Sequence, residues 1–167
     1  MSVEERAGTE RLASLVRGFE GRRVLVLGDL IADQFVSGEI SRVSREAPVM
    51  ILRHERTETV PGGAANCAMN LAALGARARI VGVVGADPAG RGLIESLEGA
   101  GVDCAGVVVK AGHGTTTKMR ILAGHLHSTR QQVVRMDYES DFLKDEGVIA
   151  DIASNVRAAV EERDRSF

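Results

Sequence analysis

VPGGAANCAMNLAALGA, residues 60–76, puts two adjacent glycines, five alanines ahead of Gly75 and two asparagines four apart into one stretch. It starts like a loop and continues with helical spacing, so a helix is expected over about 64–74 with Gly75 as its C-terminal glycine. Gly62 and Gly63 admit backbone angles and close approaches that a Cβ forbids. At a helix start they expose free N–H groups that suit hydroxyl oxygens or anions. Asn66 both donates and accepts, which fits a sugar hydroxyl. The same residues also fit a plainer reading, a glycine turn feeding a helix whose alanines pack closely on a sheet.

Working outward, the flanking segments supply that sheet. Upstream, Val24–Leu27 in RRVLVLGDLIAD is a continuous apolar run, expected as a strand buried on both faces and ended by Gly28-Asp29. Ligands of open α/β sheets collect beyond the carboxyl ends of strands, which is where Asp29 and Asp33 fall. Their carboxylates can accept hydrogen bonds from a polyol, although Asp29 also fits an ordinary turn. Further upstream, Leu12, Leu15, Val16 and Phe19 give one face to a helix over 2–19, stopped near Gly21. Downstream, ARIVGVVG reads as a second buried strand, and ADPAGRGLIESLEGAG as a helix with Asp87 as N-cap and Pro88 at its first position. A third short strand is expected around Val107–Val109, and a last helix carries Val148, Ile152 and Val156 on one face.

Two regions interrupt this alternation. QFVSGEISR, APVMILRH and RTETV, and later GTTTKMRILAG and STRQQVVRMDYE, are polar-alternating segments that read as short strands with one wet face. Residues 124–128 form the expected hairpin loop between the last two. The implied architecture is α/β: a parallel-sheet body with a small separate antiparallel sheet built from two insertions, about 34–60 and 113–137.

Composition bounds the function classes. With 167 residues and 44% hydrophobic content the chain can bury one core. A net charge of −2 offers no electrostatic case for nucleic acid or a membrane surface, and 3% aromatic content argues against base-stacking platforms. The charged N-terminus lacks an apolar signal segment and no run has the length of a membrane span, so a cytoplasmic protein is expected. Cys67 and Cys104 are far apart and are expected as two buried thiols. No GxxxxGK[ST] or strand-following GxGxxG occurs, so neither a Walker A loop nor a dinucleotide site is supported.

GGAANCAMNLAALG, continued to Gly85, resembles the first signature of the ribokinase-like (PfkB) carbohydrate kinases, and GDLIAD resembles that family's first-strand motif. The resemblance implies a three-layer α/β/α body, present in part, with a β-sheet lid that covers the sugar and often pairs with a second subunit. It assigns Gly62, Gly63 and Asn66 to the sugar site and Asp33 to holding sugar hydroxyls. SRVSREAPV, PGGAANCAMNLAALGA, TTTKMR and QQVVRMD together look like the heptose-7-phosphate kinase branch, found in bifunctional heptose kinase/adenylyltransferases. Arg45 departs from the proline usual there.

The similarity runs from about Val24 to the last helix and corresponds to the N-terminal half of such a kinase. The family's GAGD-like segment, which supplies the anion hole and the aspartate base, does not occur in the sequence; Gly99-Ala100-Gly101 is followed by Val102. The chain also ends after a helix, where an α/β alternation would supply another strand. The resemblance implies ATP and Mg²⁺ for the intact kinase, a phosphorylated sugar (heptose 7-phosphate) as substrate, and pairing with a second copy. No catalytic residue is expected in this chain, and ATP is not expected to bind it alone.

Other candidates carry open alternatives. Lys118 and Arg120 flank Met119 on a lid strand, so both can face a phosphorylated sugar or simply be solvated. Gln132 and Arg135 on the next segment are secondary candidates. His125 and His127 share a strand face by their spacing but have no further ligands nearby, so no metal site is expected. Asp87 is expected as a helix cap rather than a catalytic acid.

Overall fold

The body forms around β4 (Arg77–Gly85), whose Ala78, Ile80, Val81 and Val84 are buried. The computed structural model describes residues 3–124 and 129–164. β4 lies between β1 (Arg23–Leu27) and β5 (Asp103–Lys110), parallel to both. Helices α2 (Ala64–Ala73) and α3 (Pro88–Gly99) cover one face, where Ala65, Ala68, Leu93 and Leu97 join Ala78, Ile80 and Val84 in the core. The alanines of α2 have short side chains, so its backbone lies close to the sheet; a Cβ on Gly28 would already touch that of Ala64 at 3.1 Å. Helix α4 (Glu146–Asp164) packs on β4 and β5 from the other side, burying Val148 with Ile152 and Val156 half-buried.

A second sheet is inserted twice into this body. β2 (Leu30–Val43) and β3 (Met50–Gly63) run between β1 and α2, and β6 (Thr117–Gly124) and β7 (Gln131–Tyr138) between β5 and α4. Their order is β3-β2-β6-β7. The outer pairs are antiparallel but β2 and β6 are parallel, so the expected antiparallel sheet is a mixed one. The reason is topological: β2 and β6 each open an insertion and both leave the carboxyl end of the body, so they run the same way. The three short strands expected over 34–60 are two 14-residue strands that begin earlier, at Leu30, with irregularities at Ser37/Gly38 and Ile40/Arg42. Pro61 is tolerated in β3 because that strand is an edge.

Three further expectations are corrected. β1 is an edge strand, so Val24–Leu27 is half-buried rather than enclosed, and Leu27 is 58% exposed. β5 extends over 103–110, beyond the expected 107–109, because pairing with β4 holds it along its length. Helix α1 (Val3–Arg17) forms, but Leu12, Leu15 and Val16 remain exposed, since no sheet face is presented to them. The loop expected at 124–128, with His125 and His127, lies outside the described residues from 125 onward.

Candidate functional site

The site begins where the two sheets meet at the carboxyl end of β1. Gly28 and Asp29 end that strand, and the Asp29 carbonyl accepts the first amide of α2 from Ala64 at 2.9 Å. The Asp29 side chain is exposed, so its observed structural role belongs to the backbone. Gly63 caps α2 with φ 58° and no side-chain cap, and a Cβ there would lie 2.6 Å from the Asp29 oxygen. The helix start is therefore bare backbone. Asn66 stands exposed on the first turn, its Oδ1 accepting from Asn70 Nδ2 at 3.3 Å. Asn70 thereby engages the Asn66 carbonyl oxygen and not its amide donors.

Gly62 joins this helix start to the second sheet. A Cβ at Gly62 would sit 2.4 Å from Asp33 Oδ2, so the missing side chain is the space that the carboxylate occupies. The other oxygen, Oδ1, accepts from Arg120 Nη1 at 2.5 Å, and both side chains are about three-quarters buried (22% and 23% exposed). Arg120 also lies over the Phe35 ring at 5.2 Å, a cation–π contact that fixes the guanidinium. Register places Asp33 beside Lys118 and Phe35 beside Arg120, so these four share one face of the sheet. Lys118 is half-buried there.

The sheet is two-faced. Val36, Met119, Ile121, Val134 and Met136 occupy its other side by the same alternation. Pro48, Val49, Met50, Leu52 and Val133 extend this into an apolar groove with Ile121 and Val134.

A clamp that the sequence reading did not foresee ties β6 to the body. Asp87 caps α3, accepting from Gly90 N at 2.7 Å, and it also accepts from the Thr115 amide and hydroxyl, each at 2.7 Å. The Thr115 hydroxyl in turn accepts from Gly85 N at 3.0 Å. Burial disfavours the Asp87 charge, but bonds from Thr115 and Gly90 and the nearby Arg91 outweigh it and hold the carboxyl below its ordinary range. Asp87 is thus a cap, as expected, and also an anchor for the segment that enters β6. Its N-cap position was legible from Asp-Pro; the partner 28 residues away was not. Phe35 was likewise unforeseen, although its two-residue spacing from Asp33 is the signal that places both on one face.

Other features fall outside this constellation. A cleft of about 690 Å³ opens at the opposite, amino ends of the body strands, and its Arg79 is engaged by Asp103 at 2.6 Å and Glu162 at 2.5 Å. Cys67 is exposed, contrary to expectation, because it lies on the outer side of α2. Cys104 is half-buried, and burial, followed by Glu98 and Asp103, pushes its thiol up to about 11. Among the described residues no group of three His, Cys, Asp or Glu could hold a metal ion.

The model of the pfkB family carbohydrate kinases matches residues 22–161. The bifunctional protein HldE of Klebsiella pneumoniae is 46% identical over 124 residues, covering 74% of this chain and 25% of that protein. The bifunctional protein HldE of Magnetococcus marinus is 43% identical over 129 residues, covering 77% and 26%. The chain thus spans about a quarter of the length of these curated relatives. Among solved structures, Arabidopsis thaliana ribokinase complexed with ribose and ATP superposes with a TM-score of 0.54 at 20% identity, over 74% of this chain and 37% of that one. That likeness establishes a ribokinase-like fold.

Proposed function

This chain belongs to the pfkB family of carbohydrate kinases, and we propose that it forms the acceptor-sugar half of a heptose-phosphate kinase. In the intact enzyme the anomeric hydroxyl of heptose 7-phosphate attacks the γ-phosphorus of ATP. The bond to the β-phosphate oxygen breaks, ADP leaves, and the hydroxyl proton passes to a base. The observation that carries this reading is the Asp33 carboxylate, seated on Gly62 beside the bare start of α2 and held by Arg120. There Asp33, the helix amides and Asn66 offer acceptors and donors to successive hydroxyls of one sugar, with Asp29 at the rim. Gly62 and Gly63 let the ring approach the backbone, and Lys118 and Arg120 face its phosphate.

Under this reading 1–167 is the N-terminal part of one kinase domain, with segments 34–60 and 113–137 as its lid over the sugar. The match to the pfkB carbohydrate kinases supports the assignment of a kinase, and the ATP held by the solved ribokinase supports ATP as its phosphoryl donor. The sequence contains no GAGD-like segment, so under this reading another segment or chain supplies the base and the anion hole, and the chain by itself is expected to be inactive. The Mg²⁺ of the family reaction finds no group of three His, Cys, Asp or Glu ligands among the described residues. Among the described residues no helix is long and apolar enough to cross a membrane.

The apolar side of the second sheet favours pairing with another copy, since Val49, Met50, Val134 and Met136 are 55%, 47%, 48% and 38% exposed. A sugar-binding or dimerisation module without catalysis would share these features. Calorimetry of this chain with heptose 7-phosphate and, separately, with ATP tests the proposal. Binding of the sugar phosphate without ATP binding or turnover is expected; turnover by the chain alone would overturn the half-site reading.

A further inference from the structure

Arg120 and Arg135 stand directly opposite each other on β6 and β7, in an antiparallel register that also sets Lys118 opposite Asp137. Residues facing each other this way have Cβ atoms only about 5 Å apart, and like charges in that position repel. Two carboxylates relieve the repulsion. Asp33 holds Arg120 at 2.5 Å, and Asp137 holds Arg135 through two bonds at 2.9 and 2.7 Å. All five side chains lie on the sheet face that carries Asp33 over Gly62. Arg120 spends Nη1 on Asp33 and, at 3.5 Å, on the Lys118 carbonyl, so among the described residues its Nε and Nη2 are left to meet a second anion. Arg135 is half-exposed, at 50%, so its guanidinium is open to an incoming ligand. Arg56 and Glu58, which β3 adds to this face, pair with each other at 3.7 Å, so three cations against two carboxylates leave this part of the face one positive charge in excess.

We propose that Lys118, Arg120 and Arg135 form one phosphate-binding subsite, in which Arg135 reads the phosphate ester of the acceptor sugar. This rests on the sugar-phosphate reading above and names the residues that separate phosphorylated from plain sugars. The phosphate lies between the two guanidinium groups, replacing Asp137 on Arg135, while Asp33 stays with Arg120 and keeps its Oδ2 for hydroxyls. Charge-assisted bonds to both arginines give the selectivity. Inorganic phosphate shares the ester's chemistry but lacks the hydroxyls that Asp33 takes, so it binds more weakly.

The test is calorimetry of the full chain with heptose 7-phosphate, unphosphorylated heptose and inorganic phosphate. The wild type is expected to prefer the phosphorylated sugar. In Arg135→Gln that preference falls about tenfold, the loss of one charge-assisted contact, and Arg135→Lys restores part of it. Asp137→Asn gives the opposite sign: it removes the competing carboxylate and raises the preference, a change that a merely structural ion pair would not produce. Thermal melts of each variant check that the sheet is intact. If the wild type prefers the phosphorylated sugar and both Arg135→Gln and Asp137→Asn leave the preference unchanged, the subsite is overturned while the kinase reading stands. If the wild type binds neither sugar, both fall. Inorganic phosphate binding as tightly as the sugar phosphate would also overturn the subsite, because it would uncouple these cations from Asp33.

Discussion

Gly62 and Thr115 are the residues on which the site and its support turn. In Gly62→Ala the new methyl group would meet Asp33 Oδ2 at 2.4 Å and force the carboxylate off Arg120. The expected cost in stability is about 1–3 kcal/mol, as for other overpacked positions. Sugar-phosphate affinity should fall by more than about tenfold, since a hydroxyl acceptor moves with it. Calorimetry beside a denaturant melt separates the two effects, and unchanged affinity would remove Asp33 from the site. Thr115→Val leaves the buried Gly85 amide without its acceptor and removes a donor from Asp87, so a loss of about 1–3 kcal/mol is expected in urea unfolding. At this scale the sequence was readable where a residue acts on its neighbours. Gly-Gly before the alanines and Asp-Pro before a helix announced their turns. Asp33 with Arg120 and Asp87 with Thr115 are 87 and 28 residues apart, and no local pattern joins them.

The strands of the second sheet carry two different surfaces because successive side chains point to opposite sides. One side holds Asp33, Phe35, Lys118, Arg120, Arg135 and Asp137, and the other Val36, Met119, Ile121, Val134 and Met136. If the apolar side pairs two copies, Val134→Lys places a charge in the middle of it. Sedimentation at micromolar concentration is then expected to show a dimer for the wild type and a monomer for the variant. A monomeric wild type would count against pairing. Alternation in TKMRILAG and QQVVRMDY made these strands legible, and the continuous apolar run in ARIVGVVG did the same for β4. Exposure of β1 was not legible in this way. Val24–Leu27 has the composition of an enclosed strand, and only the order β1-β4-β5 puts it at an edge.

Across the molecule, three carboxyls are held below their ordinary range by the links that join its parts. For Asp87, burial works against the bonds from Thr115 and Gly90, which prevail; for Asp103, burial is likewise outweighed by the Ala105 amide and Arg79. Lys110 is the first cause at Asp145, helped by the Val148 amide. A carboxyl whose folded value is depressed stabilises fully above its unfolded value, near 3.9, and loses that contribution as pH falls toward the folded value. Urea midpoints should therefore hold between pH 7 and 5 and drop between about 4 and 2. Asp87→Asn should lower the midpoint at neutral pH and flatten the acid drop, and an unchanged slope would show that the clamp carries no linkage.

The sequence by itself determined the helices and strands of the body, the two insertions and the glycine-led helix. These are written in turn residues, caps and hydrophobic spacing, whose effects are short-ranged. Tertiary structure decided the parallel pairing of β2 with β6, the edge position of β1, and the meeting of Asp33 with Arg120 over Gly62. Each of these depends on which distant segments become neighbours. That choice is made when the whole chain buries its apolar surface together, and no single stretch of it encodes the outcome.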